Sequence, residues 1–324
     1  MYYLNGSRQK SLLLKHPNMS FPKINGLVAA PFTPMHPDGS INLSIIPSYH
    51  AFLKRNGVAG VFICGSTGEG PSMTLTEKKA VAEAWAQANK GDDHFKVILF
   101  VGGACLEDAK ELSRHASAIG LNGISLTAPN YFKPANLQQL AACCIDVGEA
   151  APDQPFYYYH IPVFTGVRFP MIELMKLLYG KLKNFAGIKF SDDDIPDFAQ
   201  CIQFENGQYE LLWGRDECLL AAMAVGGRSG IGSTYNYAMP LYQKLMAAYD
   251  NGDMKAAANH QLQSIEMISL LGKYGGLATG KAFMKAVGID CGKFRLPVAN
   301  MPDEQYALFL DDLKKIGFDQ LKSI

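Results

Sequence analysis

The sequence predicts a (β/α)8 barrel followed by a helical C-terminal extension. From residue 27 onward, eight short apolar or β-branched runs alternate with longer helical patterns. The runs are roughly 29 residues apart on average, which is the size of one strand–helix unit. Most of them are continuously apolar, as expected for a parallel sheet buried on both faces. An open doubly wound sheet is the alternative, but it seldom presents eight evenly spaced units.

The predicted elements follow in order along the chain. Short apolar runs predict strands at 27–32, 59–64, 96–101, 123–127, 156–161, 185–190, 210–213 and 229–232. Between them, helical spacing of apolar residues predicts helices at 44–56, 76–89, 106–119, 137–149, 171–179, 194–204 and 217–225. After residue 237 only helical patterns remain, at 240–249, 254–271, 280–287 and 303–316. We therefore expect a loosely ordered N-terminal extension (1–23), a barrel (24–238) and C-terminal helices packed on it (239–324).

Charge and cysteine content narrow the functional classes. The 324 residues include 30 basic and 30 acidic side chains, so the chain lacks the basic surplus typical of nucleic-acid binding. No run of ~18 apolar residues predicts a membrane span, and the first twenty residues lack the apolar stretch of a secretory signal. The seven cysteines are odd in number and form no Cys-x-x-Cys pair, which argues against disulfides or a zinc site. We expect a cytoplasmic protein that binds neither nucleic acid nor membrane.

In a barrel of this type, reactive side chains lie where the strands end, at the C-terminal mouth. Lys189 lies near the end of the sixth predicted strand, after the apolar run 185–188. An ordinary lysine has a pKa of about 10.4 and is almost entirely protonated at neutral pH. Burial lowers that pKa and yields a neutral amine that can form a Schiff base with a carbonyl. The alternative is a strand-end lysine whose amine reaches solvent.

The second predicted strand runs into the turn Gly65-Ser66-Thr67-Gly68-Glu69. Its backbone N–H groups can converge on an anion, and the Ser66 and Thr67 hydroxyls add donors suited to a small carboxylate. The alternative is an ordinary strand–helix turn in which a hydroxyl serves as a cap.

The fifth predicted strand carries Tyr157, Tyr158, Tyr159 and His160. Because side chains alternate along a strand, Tyr157 and Tyr159 share one face, and Tyr158 and His160 share the other. A tyrosine opposite a Schiff-base lysine can act as a general acid–base, with a hydroxyl such as that of Ser66 as relay. Packing in the core is the alternative for each tyrosine, and we expect His160 to be a packed, hydrogen-bonded histidine.

Two other patterns are not interpreted as sites. Residues 275–281 match Gly-x-x-x-x-Gly-Lys, but Ala282 replaces the hydroxyl residue of a phosphate-binding loop and a helical pattern precedes it. The acidic run Asp192-Asp193-Asp194 precedes a predicted helix, so capping of the first turn is preferred over a metal site. The sequence therefore predicts no metal.

Together these features resemble the pyruvate-dependent class I aldolases of the N-acetylneuraminate lyase/dihydrodipicolinate synthase superfamily. The resemblance extends from about residue 27 to the C-terminus. Within the superfamily the sequence is most similar to the N-acetylneuraminate (sialic acid) lyases, through the stretches YYHIP (158–162), GIKFSD (187–192), GRDE (214–217) and GIGSTYN (230–236). This resemblance implies reversible cleavage of N-acetylneuraminate to pyruvate and N-acetyl-D-mannosamine, in sialic acid catabolism.

The resemblance implies a role for each candidate residue. Lys189 forms the Schiff base with the C2 ketone, Tyr159 exchanges the C4 hydroxyl proton, and Ser66 relays it. Ser66 and Thr67 also hold the pyruvate carboxylate. Tyr131 reaches the site of a neighbouring subunit, which implies a homotetramer. The sugar tail contacts five further residues, namely Ser191, Gly214, Asp216, Glu217 and Ser233.

No metal or organic cofactor is expected, because the resemblance implies a covalent imine on Lys189. Two alternatives stay open. The first is another pyruvate-dependent enzyme, a 4-hydroxy-tetrahydrodipicolinate synthase or a 2-keto-3-deoxy-acid aldolase. Members of the synthase group usually carry an arginine where this chain has Phe164, which weakens that alternative. The second is a non-catalytic member that binds a small acid.

Overall fold

The computed structural model describes residues 18–324 and shows a closed barrel of parallel strands. Each strand pairs with the next, and the first also pairs with the last. Within the described residues the strands are β1 (Leu27–Ala29), β2 (Gly60–Ile63), β3 (Lys96–Phe100), β4 (Gly123–Thr127), β5 (Phe156–His160), β6 (Phe185–Phe190), β7 (Glu210–Trp213) and β8 (Ser229–Gly232). The predicted (β/α)8 fold is confirmed, and the largest difference in strand bounds is at β1, which ends at Ala29 instead of residue 32.

Helices surround the barrel and continue after it. In residues 18–324 they are α1 (Ile46–Arg55), α2 (Leu75–Ala88), α3 (Leu106–Ala118), α4 (Leu137–Gly148), α5 (Pro162–Thr165), α6 (Met171–Leu178), α7 (Ile195–Gln203), α8 (Leu219–Ala224), α9 (Tyr235–Asp250), α10 (Met254–Lys273), α11 (Thr279–Ala286) and α12 (Tyr306–Lys315). None of these described helices has both the length and the apolar character needed to cross a membrane.

Two helix boundaries illustrate how local sequence decides an end. Asp194 begins α7 as its cap, because its side chain accepts a hydrogen bond from the Asp197 N–H at 3.0 Å, so the capping interpretation is confirmed for this residue. The helix after β8 begins at Tyr235, earlier than the predicted 240. It is bent at Ala238 (φ −136°), just before Pro240, whose ring does not fit a straight helix interior. The predicted boundary at 238 therefore lies inside α9.

The apolar core has two layers. Side chains such as Val28, Phe62, Phe100 and Leu212 fill the barrel interior, and a larger layer lies between the strands and the helices. Tyr157 and Tyr159 belong to the interior layer and Tyr158 to the outer one, which confirms the predicted alternation along β5.

Residues 18–24 run across the N-terminal end of the barrel. The Asn18 side chain donates to the Leu182 carbonyl at 2.9 Å, and the Ile24 N–H donates to Glu210 Oε1 at 2.7 Å. Glu210 also accepts from the Tyr157 hydroxyl at 3.0 Å, and burial raises the pKa of its carboxyl to about 7. This part of the predicted extension is held against the barrel, while residues 1–17 lie outside the described residues.

Candidate active site

Lys189 lies on β6 with its side chain inside the mouth of the barrel. It is 4% exposed, and its Nζ is 3.9 Å from the ring centroids of both Phe62 and Tyr159. Lys189 and Tyr159 are direct partners in the β5–β6 register, so both face inward. The structure thus contradicts the alternative in which this amine reaches solvent.

Burial decides the protonation of Lys189. Two facing rings favour the charged amine by about 1–2 kcal/mol, and the negative charge of Asp216 also favours it. The loss of hydrating water is the larger effect, and it lowers the pKa of Lys189 to about 7. About half of the amine is therefore neutral at pH 7 and available as a nucleophile.

Tyr159 lies directly beside that amine, with its ring centroid 3.9 Å from Lys189 Nζ. Burial raises the pKa of its phenol to about 12, while the nearby hydroxyls of Ser66 and Ser191 act in the opposite direction. The free protein therefore carries Tyr159 in its protonated form. Ser66 comes from the turn after β2 and Ser191 from the end of β6, so three strand ends converge on one phenol.

A cavity of about 140 Å³ opens above Lys189 at the C-terminal mouth. It brings together most of the predicted site residues, whose side chains or backbone form its wall: Thr67, Tyr159, Lys189, Gly214, Asp216, Glu217 and Ser233. Ser66 and Ser191 join this group through the Tyr159 hydroxyl. Helix α10, which follows the barrel in the chain, contributes one wall through Ile268 and Leu271.

Asp216 offers a buried acceptor to this cavity. Its Oδ2 accepts from the Thr234 N–H at 2.9 Å and from the Thr234 hydroxyl at 2.6 Å, while its Oδ1 has no hydrogen-bond partner among the described residues. Burial raises the pKa of this carboxyl to about 6, so it is mostly ionised at neutral pH. A Cβ at Gly232 would lie 1.8 Å from Oδ1, so glycine is needed there.

Gly214 has a similar steric role just after β7. A Cβ at this position would lie 1.9 Å from Ser191 Oγ, and the Ser191 hydroxyl donates to the Gly214 carbonyl at 3.3 Å. Glu217 lies nearer the opening, where Arg215 Nη2 is 3.1 Å from its Oε1. Oxygen acceptors therefore line the cavity from its floor to its rim.

His160 faces away from the cavity. It is 2% exposed, its Nε2 is 3.4 Å from Asp192 Oδ2, and Arg168 Nη1 lies 2.6 Å from the same oxygen. Burial lowers the pKa of His160 despite the nearby carboxylate. The prediction of a packed histidine is confirmed, whereas its Nδ1 has no hydrogen-bond partner among the described residues.

Tyr131 is the predicted site residue that the structure places away from both the cavity and the Tyr159 phenol. Its side chain is 79% exposed and contacts the ring of Phe132 with centroids 5.1 Å apart. Within one chain it touches none of the groups around Lys189 that are described above.

The sequence reasoning missed several residues of the cavity wall, and three of them are Thr234, Ile268 and Leu271. Thr234 orients Asp216, and Ile268 and Leu271 form the α10 wall. Thr234 lies inside the GIGSTYN stretch, which could have drawn attention to it, whereas the apolar face of α10 carries no signal that separates a cavity wall from ordinary core. In residues 18–324, no three His, Cys, Asp or Glu side chains meet as metal ligands would.

The chain is similar to one known family model and to several N-acetylneuraminate lyases. Residues 23–316 match the model of the dihydrodipicolinate synthetase family. The N-acetylneuraminate lyase of Gallus gallus is 43% identical over 287 residues, 87% of this chain and 92% of that protein. The structure of Proteus mirabilis N-acetylneuraminate lyase is 36% identical with a TM-score of 0.88, covering 92% of this chain and 100% of the other. A catalytic lysine mutant of the Ruminococcus gnavus sialic acid aldolase is 27% identical with a TM-score of 0.83, covering 91% and 96%.

Proposed function

The chain belongs to the dihydrodipicolinate synthetase family, and from that premise we propose that it cleaves N-acetylneuraminate reversibly to pyruvate and N-acetyl-D-mannosamine. The single observation that carries this proposal is the buried amine of Lys189, with its pKa near 7, beneath a cavity lined by oxygen acceptors. Lyases with this activity in their names align over most of the chain.

The reaction starts with the neutral Lys189 amine. It attacks the C2 ketone of open-chain N-acetylneuraminate, and loss of water with uptake of one proton from solvent gives a protonated imine. The positive charge of this imine withdraws electrons, so the C3–C4 bond pair moves toward C3 and forms an enamine. Protonation at C3 and hydrolysis of the imine then release pyruvate and restore the amine. This route needs neither metal nor organic cofactor, because the imine itself is the electron sink.

Tyr159 takes the proton of the C4 hydroxyl as the C3–C4 bond breaks, which turns C4 into the aldehyde of N-acetyl-D-mannosamine. With a pKa of about 12, Tyr159 is protonated in the free protein and must lose this proton before it can accept another. The positive imine forms beside the same ring, and a neighbouring positive charge lowers the pKa of a phenol. Ser66, a neighbour of Tyr159, relays the proton that Tyr159 loses.

Two groups of residues hold the rest of the substrate. Ser66 and Thr67, on the turn after β2, receive the carboxylate through hydroxyl and backbone donors. The polyhydroxy tail extends along the acceptors of the opposite wall, which belong to Ser191, Gly214, Asp216, Glu217 and Ser233. A row of carboxylate and carbonyl acceptors suits a chain of sugar hydroxyls.

The decisive test is borohydride trapping with N-acetylneuraminate, read by intact mass and peptide mapping. One reduced-pyruvate adduct on Lys189 is the expected result. Trapping of pyruvate but not of N-acetylneuraminate would assign another pyruvate-dependent reaction, such as a 2-keto-3-deoxy-acid aldolase. No adduct with either compound would refute the enzyme mechanism.

The proposal extends to assembly as a homotetramer. Tyr131 and Phe132 after β4, and Val163 and Phe164 in α5 after β5, are large apolar side chains that are 62–86% exposed. The two loops adjoin, since a Cβ at Gly166 would lie 2.4 Å from Lys133 Nζ. Such a patch is typical of a protein–protein interface, and a partner docked here brings Tyr131 toward the neighbouring site.

Sedimentation velocity tests this assembly, with Phe132→Ser and Phe164→Ser combined in one variant. We expect the unchanged chain to sediment as a tetramer and the double variant as a smaller species. A tetramer in both samples would remove this patch from the interface.

We place the protein in the cytoplasm, in keeping with seven free cysteines, three of them at least partly accessible.

A further inference from the structure

The turn that presents Ser66 and Thr67 is strained at both ends. Cys64, just before it, and Glu69, its last residue, both have a left-handed backbone with φ of 58°, which residues other than glycine seldom adopt. Gly70 lets the turn close, because a Cβ there would lie 1.7 Å from the Cys64 carbonyl oxygen. Such a backbone persists only where surrounding contacts over-determine it.

The side chain of Glu69 makes those contacts. It is almost fully buried, with Oε1 at 2.7 Å from Lys281 Nζ and Oε2 accepting from the Arg295 N–H at 2.8 Å. Lys281 lies on α11, equally buried, and its Nζ also donates to the Lys293 carbonyl at 3.0 Å. The ring of Phe294 covers the amine, with its centroid 4.8 Å away. The C-terminal segment is thereby bound to the turn by a charged pair shielded from water.

Neither member of this pair lines the cavity above Lys189. Glu69 and Lys281 therefore have no direct part in bond breaking. The turn between this pair and the cavity carries Thr67, which lines the cavity, and Ser66, which lies near Tyr159.

We propose that Glu69 and Lys281 are positioning residues, whose ion pair holds the turn in the shape that receives the substrate carboxylate. The pair thereby sets the preference of the site for 2-keto acids over neutral ketones. This inference rests on the proposed function, since it concerns the carboxylate end of the same Schiff-base site.

The test uses a double variant, Glu69→Gln with Lys281→Met, which removes both charges and leaves no buried charge without its partner. The probes are pyruvate and hydroxyacetone, a small ketone without a carboxylate. Cyanoborohydride trapping on Lys189, followed by intact mass, gives a rate for each probe. We expect the ratio of the pyruvate rate to the hydroxyacetone rate to fall at least about tenfold, because carboxylate hydrogen bonds are lost with the turn's shape.

Glu77→Gln is the matched control. Glu77 pairs with the side chain of Arg295, in the same C-terminal segment. This pair is about one quarter exposed and lies beyond the turn. We expect its ratio to match that of the unchanged chain. A double variant that folds and keeps the unchanged ratio overturns this inference alone, as does an equal fall in both variants. Absence of a pyruvate adduct on the unchanged chain overturns the proposed function and this inference with it.

Discussion

Replacing Lys189 by methionine removes the proposed nucleophile and, at neutral pH, should stabilise the fold. The buried amine has a pKa of about 7 instead of 10.5. At ~1.4 kcal/mol for each unit of pKa, and with the folded amine half protonated at pH 7, holding this lysine in the folded state costs about 4 kcal/mol at that pH. Methionine has similar length and no charge, so the free energy of unfolding of Lys189→Met should exceed that of the unchanged chain by a few kcal/mol.

The pH dependence makes this prediction specific. Between pH 7 and 10.5 the unfolded lysine is protonated and the folded one is not, so the stability of the unchanged chain rises with pH. The advantage of Lys189→Met should thus shrink to about 2 kcal/mol at pH 9 and vanish near pH 10.5. Urea unfolding followed by circular dichroism, at one protein concentration and several pH values, measures the difference. A difference that stays constant with pH would refute the argument that burial perturbs this amine.

Lys281 provides the control. It is the other deeply buried lysine discussed above, but its amine forms a buried ion pair. Its Nζ lies 2.7 Å from Glu69 Oε1. Lys281→Met leaves that carboxylate buried without its partner, which costs roughly 3–5 kcal/mol. The same substitution should therefore stabilise the protein at Lys189 and destabilise it at Lys281. A loss of stability at Lys189 as well would show that packing outweighs the charge effect at that site.

Three further substitutions test individual contacts. Tyr159→Phe should lower kcat by ~10²–10⁴-fold while pyruvate still traps on Lys189; lost trapping would mean that the phenol is needed to form the imine. Gly214→Ala places a Cβ 1.9 Å from Ser191 Oγ, so kcat/KM for N-acetylneuraminate should fall by about 100-fold with pyruvate trapping unchanged. Asp216→Asn removes a charge that raises the pKa of Lys189, so the acid limb of pyruvate trapping should move to lower pH, and a move to higher pH would contradict this coupling.

Features that depend on local composition could be predicted from the sequence. The strands are recognisable because both faces of a barrel strand are buried, so a run such as 185–188 is apolar throughout. The position of Lys189 follows from the same run, since the mouth of the barrel is where strands end. Alternation along β5 separated Tyr159 from His160 for the same reason.

Features that depend on distant segments could not be predicted in this way. Thr234 bonds Asp216 only because β7 and β8 end side by side. Ile268 and Leu271 look like any apolar residues of an amphipathic helix, and only the packed fold shows that they border a cavity. The buried partner of Glu69 is more than 200 residues away, inside a stretch whose sequence matched a phosphate-binding pattern.

Because α10 forms one wall of the cavity, some residues that shape the cavity lie apart in the chain from the residues proposed to carry out the reaction. The strands fix Lys189 and Tyr159, and any change there risks the reaction itself. Ile268 and Leu271 lie on a helix that follows the barrel in the chain, so mutation can reshape the cavity at these two positions without moving the amine or the phenol. A chain built in this way can acquire new substrates by drift in α10 while its bond-breaking apparatus is inherited intact.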